Sequence, residues 1–152
     1  MIVERIYVSR APGAPPESVA SVRVVAGAGI QGDRYYGMAD EPGQNLTLVE
    51  AEEIERFNRE NGTAFDLGCT RRNVVTRGVR LDTLVGKEFV VGNVRLRGVE
   101  LCEPCAGLGR ALASTDLPAA DVVRQFLHRA GLRADVLTDG TIQAGASLSQ
   151  AA

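Results

Sequence analysis

Two cysteines three positions apart carry most of the reactive side-chain chemistry of this sequence. Cys102 and Cys105 form a Cys-x-x-Cys pair directly after the run 94–101, whose composition predicts a β-strand. Two thiols at this spacing can bind a soft metal, cycle between dithiol and disulfide, or carry sulfur. The chain has only 3 cysteines and 1 histidine, so nearly all of its soft-ligand capacity lies in this segment.

Two interpretations of the pair need no metal. Both thiols can be small buried hydrophobic groups, but Pro104 and the small residues after Cys105 indicate a turn that leaves a strand. A thioredoxin-like redox site would place its first cysteine at the start of a helix in a βαβ pattern. Here the pair follows a predicted hairpin, and Gly107 and Gly109 disfavour a helix at this point.

The other two interpretations use the thiols as ligands or carriers. A structural zinc site would also need Cys69 and His128, yet His128 falls on the polar face of a predicted helix. The last interpretation is one reactive thiolate that ligates a metal centre or carries sulfur. Such a thiolate needs nearby positive charge, which the segment 71–73 (Arg-Arg-Asn) and Arg133 can supply if the fold brings them together.

Two further polar segments could hold an anion. In the glycine-rich segment 29–34, Asp33 can accept bonds from a heterocycle and Arg34 can hold a phosphate. The alternative is a tight turn capped by Asp33, which the pattern favours because its spacing fits neither of the common nucleotide-binding loops. In a strand, alternate residues share a face, so the pattern predicts that Arg71 and Asn73 point to the same side.

Size and composition limit the function classes. A chain of 152 residues suits one domain, 1–152, with one core. The net charge of −2 and the 5% aromatic content give no support for nucleic-acid binding. The sequence contains no apolar run of the roughly 20 residues that a membrane span requires. An odd cysteine count without an export signal predicts a reducing, cytoplasmic location.

The predicted elements are mostly strands. Strand-like runs lie at 2–8, 19–25 and 74–76, with a hairpin of 88–91 and 94–98 around Gly92-Asn93 and a second hairpin of 132–137 and 141–144. Thr47 and Glu50 fit a capping box for a helix that ends at Asn61-Gly62. A second helix should open near Thr115-Asp116, with Pro118 in its first turn, and stop at Gly131. This order predicts a mainly β fold, a β-barrel with two or three inserted short helices.

Taken in order, several segments resemble a MOSC domain, the module related to the C-terminal part of molybdenum cofactor sulfurases. The resemblance runs from about residue 27 to residue 147. It is carried by Gly-Asp-Arg-Tyr-Tyr-Gly at 32–37, Gln-Asn-Leu-Thr-Leu at 44–48, Arg-Arg-Asn-Val-Val at 71–75, Leu-Val-Gly at 84–86, Leu-Cys-Glu-Pro-Cys at 101–105 and Gly-Leu-Arg-Ala-Asp-Val at 131–136.

The resemblance implies a MOSC-type β-barrel that binds molybdenum cofactor or carries sulfur. In amidoxime-reducing relatives the thiolate that matches Cys105 ligates molybdenum, and bacterial relatives reduce N-hydroxylated compounds. The resemblance makes Cys105 the expected catalytic residue and metal ligand. The residues expected to contact the cofactor are Asp33, Arg34, Arg71, Asn73, Arg133 and Cys102.

The resemblance also implies partners. In the sulfurase branch the domain is thought to receive sulfur from a pyridoxal-phosphate-dependent cysteine desulfurase domain. Lys87, the only lysine, lies in a predicted strand, so the chain shows no pyridoxal-phosphate site of its own. Without a ferredoxin-type cysteine set, a reductase of this kind would take electrons from a separate electron-donor protein. A carrier module without turnover and a thiol-disulfide redox protein that uses Cys102 and Cys105 are the two alternatives.

Overall fold

The structure, a computed structural model, describes residues 1–38 and 40–151, so the predicted domain boundary at residue 152 lies outside the described residues. The strands are β1 Ile2–Val8, β2 Glu17–Val19, β3 Ser21–Val25, β4 Gly29–Ile30, β5 Leu46–Glu50, β6 Val74–Arg77, β7 Glu88–Val91, β8 Val94–Leu101, β9 Leu132–Val136, β10 Gly140–Gln143 and β11 Leu148–Gln150. The helices are α1 Ala51–Asn61, α2 Ala106–Leu112 and α3 Ala119–Gln125, and a 3₁₀ turn spans Leu81–Leu84.

The strands form two sheets. An 8-stranded sheet, ordered β11-β7-β8-β9-β5-β6-β1-β2, curls into a half-barrel, and β10, β3 and β4 form a 3-stranded sheet beside it. Neighbouring strands are antiparallel except β5 and β6, which run parallel and are joined through α1. The mainly β fold with three short helices confirms the fold class predicted from the sequence. None of the described helices is long and apolar enough to cross a membrane.

Alternating burial along the strands builds the main core. In β8 the residues Val94, Leu96 and Gly98 are buried while the arginines between them are exposed. The hairpin of β7 and β8 turns at Gly92-Asn93 as predicted, with Gly92 at φ 61°. The sheet therefore presents one apolar face to the core and carries polar residues on the other.

The predicted capping box is wrong. Residue 47 lies inside strand β5, and α1 begins only at Ala51, after an N-cap at Glu50 that has no side-chain cap. The Thr47 hydroxyl instead exchanges hydrogen bonds with Asn73, donating to Oδ1 at 3.2 Å and accepting from the backbone N–H at 3.1 Å. Pairing of β5 with both β6 and β9 outweighed the local capping signal.

The predicted second hairpin is also wrong, because its two strands belong to different sheets. Strand β9 pairs with β5 and β8, whereas β10 pairs with β3. Asp139, in the connecting turn, accepts a hydrogen bond from the Ala26 N–H at 2.8 Å. That bond holds the turn beside the end of β3, so the chain leaves β9 for the smaller sheet.

The helical region after the cysteine pair differs from the prediction as well. A helix, α2, follows Cys105 directly, although Gly107 and Gly109 argued against one. Gly109 lies where α2 packs against α3, and a Cβ there would come within 2.8 Å of the Ala119 carbonyl oxygen. The predicted second helix starts four residues later than Thr115, and Gln125 ends it well before Gly131. Close helix packing thus explains a glycine that local propensity alone would count against a helix.

Candidate functional site

A cavity of about 600 Å³ opens beside the cysteine pair. It is lined by the end of β8, by β9 and β5, by the segment that precedes β6, and by the loop between β4 and β5. The lining residues are Tyr35, Met38, Asp40, Gly43, Gln44, Leu46, Thr47, Arg72, Asn73, Glu100, Leu101, Cys102, Glu103 and Arg133. Neighbouring strands of one curled sheet thus bring residues from distant parts of the chain to one concave surface.

The two thiols of the pair lie in different environments. Cys102 is 4% exposed and packs in an apolar cluster with residues such as Phe126 and Ala130. Burial raises the pKa of the Cys102 thiol, and the positive charges of Arg72 and Arg133 oppose that rise only in part. Cys105 is exposed. The pair is therefore chemically asymmetric, and the exposed member is the one accessible to other molecules.

The exposed thiol is the N-cap of α2. Its sulfur accepts a hydrogen bond from the Leu108 N–H at 3.4 Å. That bond lowers the pKa of the Cys105 thiol below its ordinary value, and the Arg72 charge acts in the same direction, although partial burial opposes both. Since the second cysteine of the pair, and not the first, caps the helix, the arrangement also differs from a thioredoxin-like site.

Arg72 faces the cavity, and Arg71 does not. Arg72 is half-buried, and its Nε donates to the Ala130 carbonyl oxygen at 2.9 Å. Arg71 adopts a left-handed backbone conformation with φ 62°, and its Nη2 donates to Ser9 Oγ at 3.3 Å. The prediction that Arg71 and Asn73 share a face is wrong, because β6 begins only at Val74 and strand alternation does not extend back to Arg71.

Asn73 is buried, and its side chain connects three segments. Its Oδ1 accepts from the Thr47 N–H at 3.1 Å, and its Nδ2 donates to the Tyr7 carbonyl oxygen at 3.1 Å. The same Nδ2 donates to Asp33 Oδ1 at 3.3 Å. Although Asn73 lines the cavity, both the oxygen and the nitrogen of its amide already have protein partners. The side chain therefore connects β1, β5 and the loop that contains Asp33.

The Asp33 side chain contacts Asn73 and is not among the cavity-lining residues, although other residues of its loop are. The Asp33 carboxylate is buried and accepts hydrogen bonds from the Ser9 N–H at 3.0 Å and the Tyr35 N–H at 3.3 Å. Arg34 lies 3.5 Å from that carboxylate and stacks over the Tyr35 ring at 4.4 Å. These contacts match the turn-capping interpretation of Asp33. Arg34 and Arg71 together line a smaller pocket of about 280 Å³.

Arg133 extends from β9 into the cavity wall. Its Nη1 forms an ion pair with Glu100 Oε1 at 2.8 Å, and its Nε donates to the Gly43 carbonyl oxygen at 3.2 Å. The Gly43 N–H in turn donates to Asp135 Oδ1 at 2.7 Å. Arg133 therefore fixes the cavity-lining loop to β9 and forms an exposed ion pair with Glu100.

A tetrahedral zinc site is not assembled by the described residues. They contain no group of three or more His, Cys, Asp or Glu side chains placed to hold one ion. His128 is exposed, with a left-handed backbone at φ 65°. Burial raises the pKa of the half-buried Cys69 thiol to about 12, so this third cysteine stays protonated.

The residues predicted from the sequence divide into those that line the cavity and those that do not. Cys102, Asn73 and Arg133 line the cavity, and Cys105 lies within the electrostatic influence of Arg72. Cys105, Asp33, Arg34 and Arg71 are absent from the lining. The charged lining residues that were not predicted are Asp40, Arg72, Glu100 and Glu103. The only signal for Arg72 was its position beside Arg71, and the alternation rule assigned it to the opposite face.

Comparisons with known proteins identify the family and the fold of the chain. A family model described as the MOSC domain matches residues 33–149. The YuaD protein of Bacillus subtilis has a similar structure, with a TM-score of 0.83, 18% identity, and coverage of 97% of this chain and 93% of that one. YiiM from Geobacillus stearothermophilus gives a TM-score of 0.76 at 21% identity, covering 99% of this chain and 75% of that one. No curated protein shows significant sequence similarity to the chain.

Proposed function

The chain belongs to the MOSC domain family, and on that premise we propose that its large cavity binds the molybdenum cofactor, with Cys105 as a thiolate ligand to the metal. The observation that carries the proposal is the state of the Cys105 thiol. It is exposed, it receives a backbone N–H, and its pKa is lowered by that bond and by the Arg72 charge. A thiolate is the ligand type that soft metal centres prefer.

The residues present fit such a group. A cavity of about 600 Å³ has room for a ligand of cofactor size. Arg72 offers positive charge to an anionic group, while Leu46 and Leu101 give the same cavity apolar surface. The buried Cys102 thiol, with its raised pKa, supports the cavity wall and leaves ligation to Cys105.

The proposed activity is the reduction of N-hydroxylated compounds. The cofactor, when bound, would supply two-electron oxo transfer, and a separate electron-donor protein would restore the electrons. Such a reduction consumes protons, and the exposed carboxylates of Asp40 and Glu103 line the cavity where protons can be exchanged with solvent. The protein would otherwise contribute orientation and positive charge through Arg72.

Elemental and pterin analysis of the purified protein tests the proposal. Protein produced in a molybdenum-replete host should contain molybdenum and pterin in near-equal amounts, and Cys105→Ser should lose most of the metal. Cys69→Ser is the matched control, since this thiol is half-buried and protonated. Wild-type protein that contains neither, even after reconstitution with the cofactor, would rule the proposal out.

Sulfur carriage is a second candidate, and the exposure of Cys105 favours it. A persulfide on a separate pyridoxal-phosphate-dependent cysteine desulfurase would pass its outer sulfur to the Cys105 thiolate, and the desulfurase thiolate would leave. Intact-mass analysis after incubation with a desulfurase and cysteine should show one added sulfur atom on the wild type and none on Cys105→Ser. Equal sulfur loading of both proteins would exclude Cys105 as the carrier.

A further inference from the structure

Arg72 differs from the other arginine in the cavity wall. Arg133 has its charge opposed by Glu100 at 2.8 Å. Arg72 has no ion pair with any carboxylate of the described residues, although it is half-buried. A half-buried cation without a counter-ion costs free energy to keep in place. An uncompensated charge that faces a cavity therefore indicates an anionic ligand.

The Arg72 guanidinium is also fixed in orientation. Its Nε is held by the Ala130 carbonyl oxygen at 2.9 Å, and Ala130 is itself fully buried. The next residue, Gly131, packs so closely on β5 that a Cβ would collide with the Leu48 carbonyl oxygen. Because Nε is the one nitrogen with an acceptor among the described residues, the two terminal nitrogens keep their donors for a ligand. That pair of nitrogens can hold two oxygens of one phosphate group.

Arg71, the neighbour of Arg72, does not face the large cavity. Arg71 donates to Ser9 and lines the smaller pocket, where Arg34 is its companion. Its left-handed backbone turns the chain between the two arginines, so that adjacent guanidinium groups serve different pockets. The resemblance to the family pointed to Arg71, and the geometry points to the residue after it.

We propose that Arg72, and not Arg71, holds an oxyanion of the phosphate class in the large cavity. The inference rests on the proposed function, since the molybdenum cofactor carries a phosphate, and it deepens that proposal by naming the residue that binds this group. Arg72 lies close enough to both thiols for its charge to act on them. The bound phosphate and the Cys105 sulfur would thus flank one guanidinium group.

Three variants test the assignment. Arg72→Gln removes the charge, and Arg72→Lys keeps the charge but loses the planar guanidinium that can donate two parallel hydrogen bonds. Arg71→Gln is the matched control. Pterin content after purification and the affinity of the cofactor-free protein for inorganic phosphate, measured by calorimetry, are the two readouts. Arg72→Gln should weaken phosphate binding by at least about tenfold, Arg72→Lys by less, and Arg71→Gln should resemble the wild type.

The two readouts separate the inference from the proposed function. Wild-type protein without pterin that still binds phosphate through Arg72 would contradict the function and keep the inference. Pterin-containing protein in which Arg71→Gln loses phosphate affinity, and Arg72→Gln does not, would overturn the inference alone. If Arg72→Gln fails to fold, phosphate affinity of Arg72→Lys equal to that of the wild type would also overturn it.

Discussion

The large cavity and the smaller pocket both contain arginines, and they share the side chains of Tyr35 and Met38. In the smaller pocket Arg34 lies 3.5 Å from the Asp33 carboxylate, while Arg71 donates to the Ser9 hydroxyl and, like Arg72, forms no ion pair within the described part of the chain. In the large cavity Arg72 has no carboxylate partner among the described residues, and a thiol with a lowered pKa lies within reach of its charge. The combination of a cation and a thiol of lowered pKa, rather than the number of arginines, distinguishes the large cavity from the smaller pocket.

The comparison also shows how one backbone conformation divides two neighbouring residues. Arg71 and Arg72 are adjacent, and the left-handed φ of 62° at Arg71 sends them to different pockets. Asn73 follows and connects the two regions, because its amide contacts both Asp33 and Thr47. The short segment from Arg71 to Asn73 is therefore the boundary between them, and variants in it separate their contributions.

The largest expected effect is the difference in reactivity between the Cys102 and Cys105 thiols. Iodoacetamide should modify Cys105 at least about a hundredfold faster than Cys102, because alkylation requires an accessible thiolate. The rate at Cys105 should rise with pH and reach half its maximum below 9.0, the ordinary thiol value, since its pKa is lowered. The half-maximum for Cys102 should lie above 9.0, since burial raises its pKa. Peptide mapping by mass spectrometry over a pH series measures both.

Two results would contradict the predicted difference between the Cys102 and Cys105 thiols. Equal alkylation rates of Cys102 and Cys105 would contradict the asymmetry on which the proposed function depends. Rapid formation of a reversible Cys102–Cys105 disulfide with a defined potential, detected in the same mapping after treatment with oxidant, would favour the thiol-disulfide alternative.

A smaller effect, on stability, is expected at the residue that joins the two regions. Asn73→Ala should lower the free energy of unfolding by about 2–3 kcal/mol, because it leaves the buried Asp33 and the half-buried Thr47 without their hydrogen bonds to Asn73. Urea denaturation measures the change. Asn93→Ala, at an exposed hairpin turn, is the control and should change stability by less than about 0.5 kcal/mol. Equal effects of the two substitutions would show that Asn73 does not join the regions.

The smallest effect is expected at Arg71 itself. Arg71→Gly should change the free energy of unfolding by less than about 1 kcal/mol, in the stabilising direction, because glycine adopts φ 62° without strain. Both Arg71→Gly and Arg71→Ala lose the contact with Ser9, but only alanine keeps the strained backbone, so the alanine variant should be the less stable of the two. Thermal unfolding compares them. A glycine variant less stable than the alanine variant would argue against strain at this position.

Features set by local sequence could be predicted, and features set by tertiary contacts could not. The Gly92-Asn93 turn and the end of α1 at Asn61-Gly62 were predicted because glycine at positive φ is a local requirement. Thr47 matched a capping box, yet its hydroxyl bonds with Asn73, which is 26 residues away. No local pattern contains that contact.

The same division holds for the site. The asymmetry of the cysteine pair was expected from the order of motifs, and the contrast in exposure between Cys102 and Cys105 agrees with it. The choice between Arg71 and Arg72 depends on a single φ angle and on the Ala130 carbonyl that holds Arg72. Neither the φ angle nor the carbonyl contact can be read from the sequence. The alternation rule required Arg71 and Arg72 to lie in a strand, but the strand begins only at Val74.

The most direct test of the central claim is X-ray absorption spectroscopy at the molybdenum edge, on cofactor-loaded wild type and Cys105→Ser prepared in parallel. The Cys105 thiolate should contribute one sulfur to the metal coordination shell, so the variant should show one sulfur fewer, replaced by a lighter ligand. Cys102→Ser should keep the wild-type shell, because its thiol is buried and protonated. Identical sulfur shells in the wild type and Cys105→Ser would contradict ligation by Cys105.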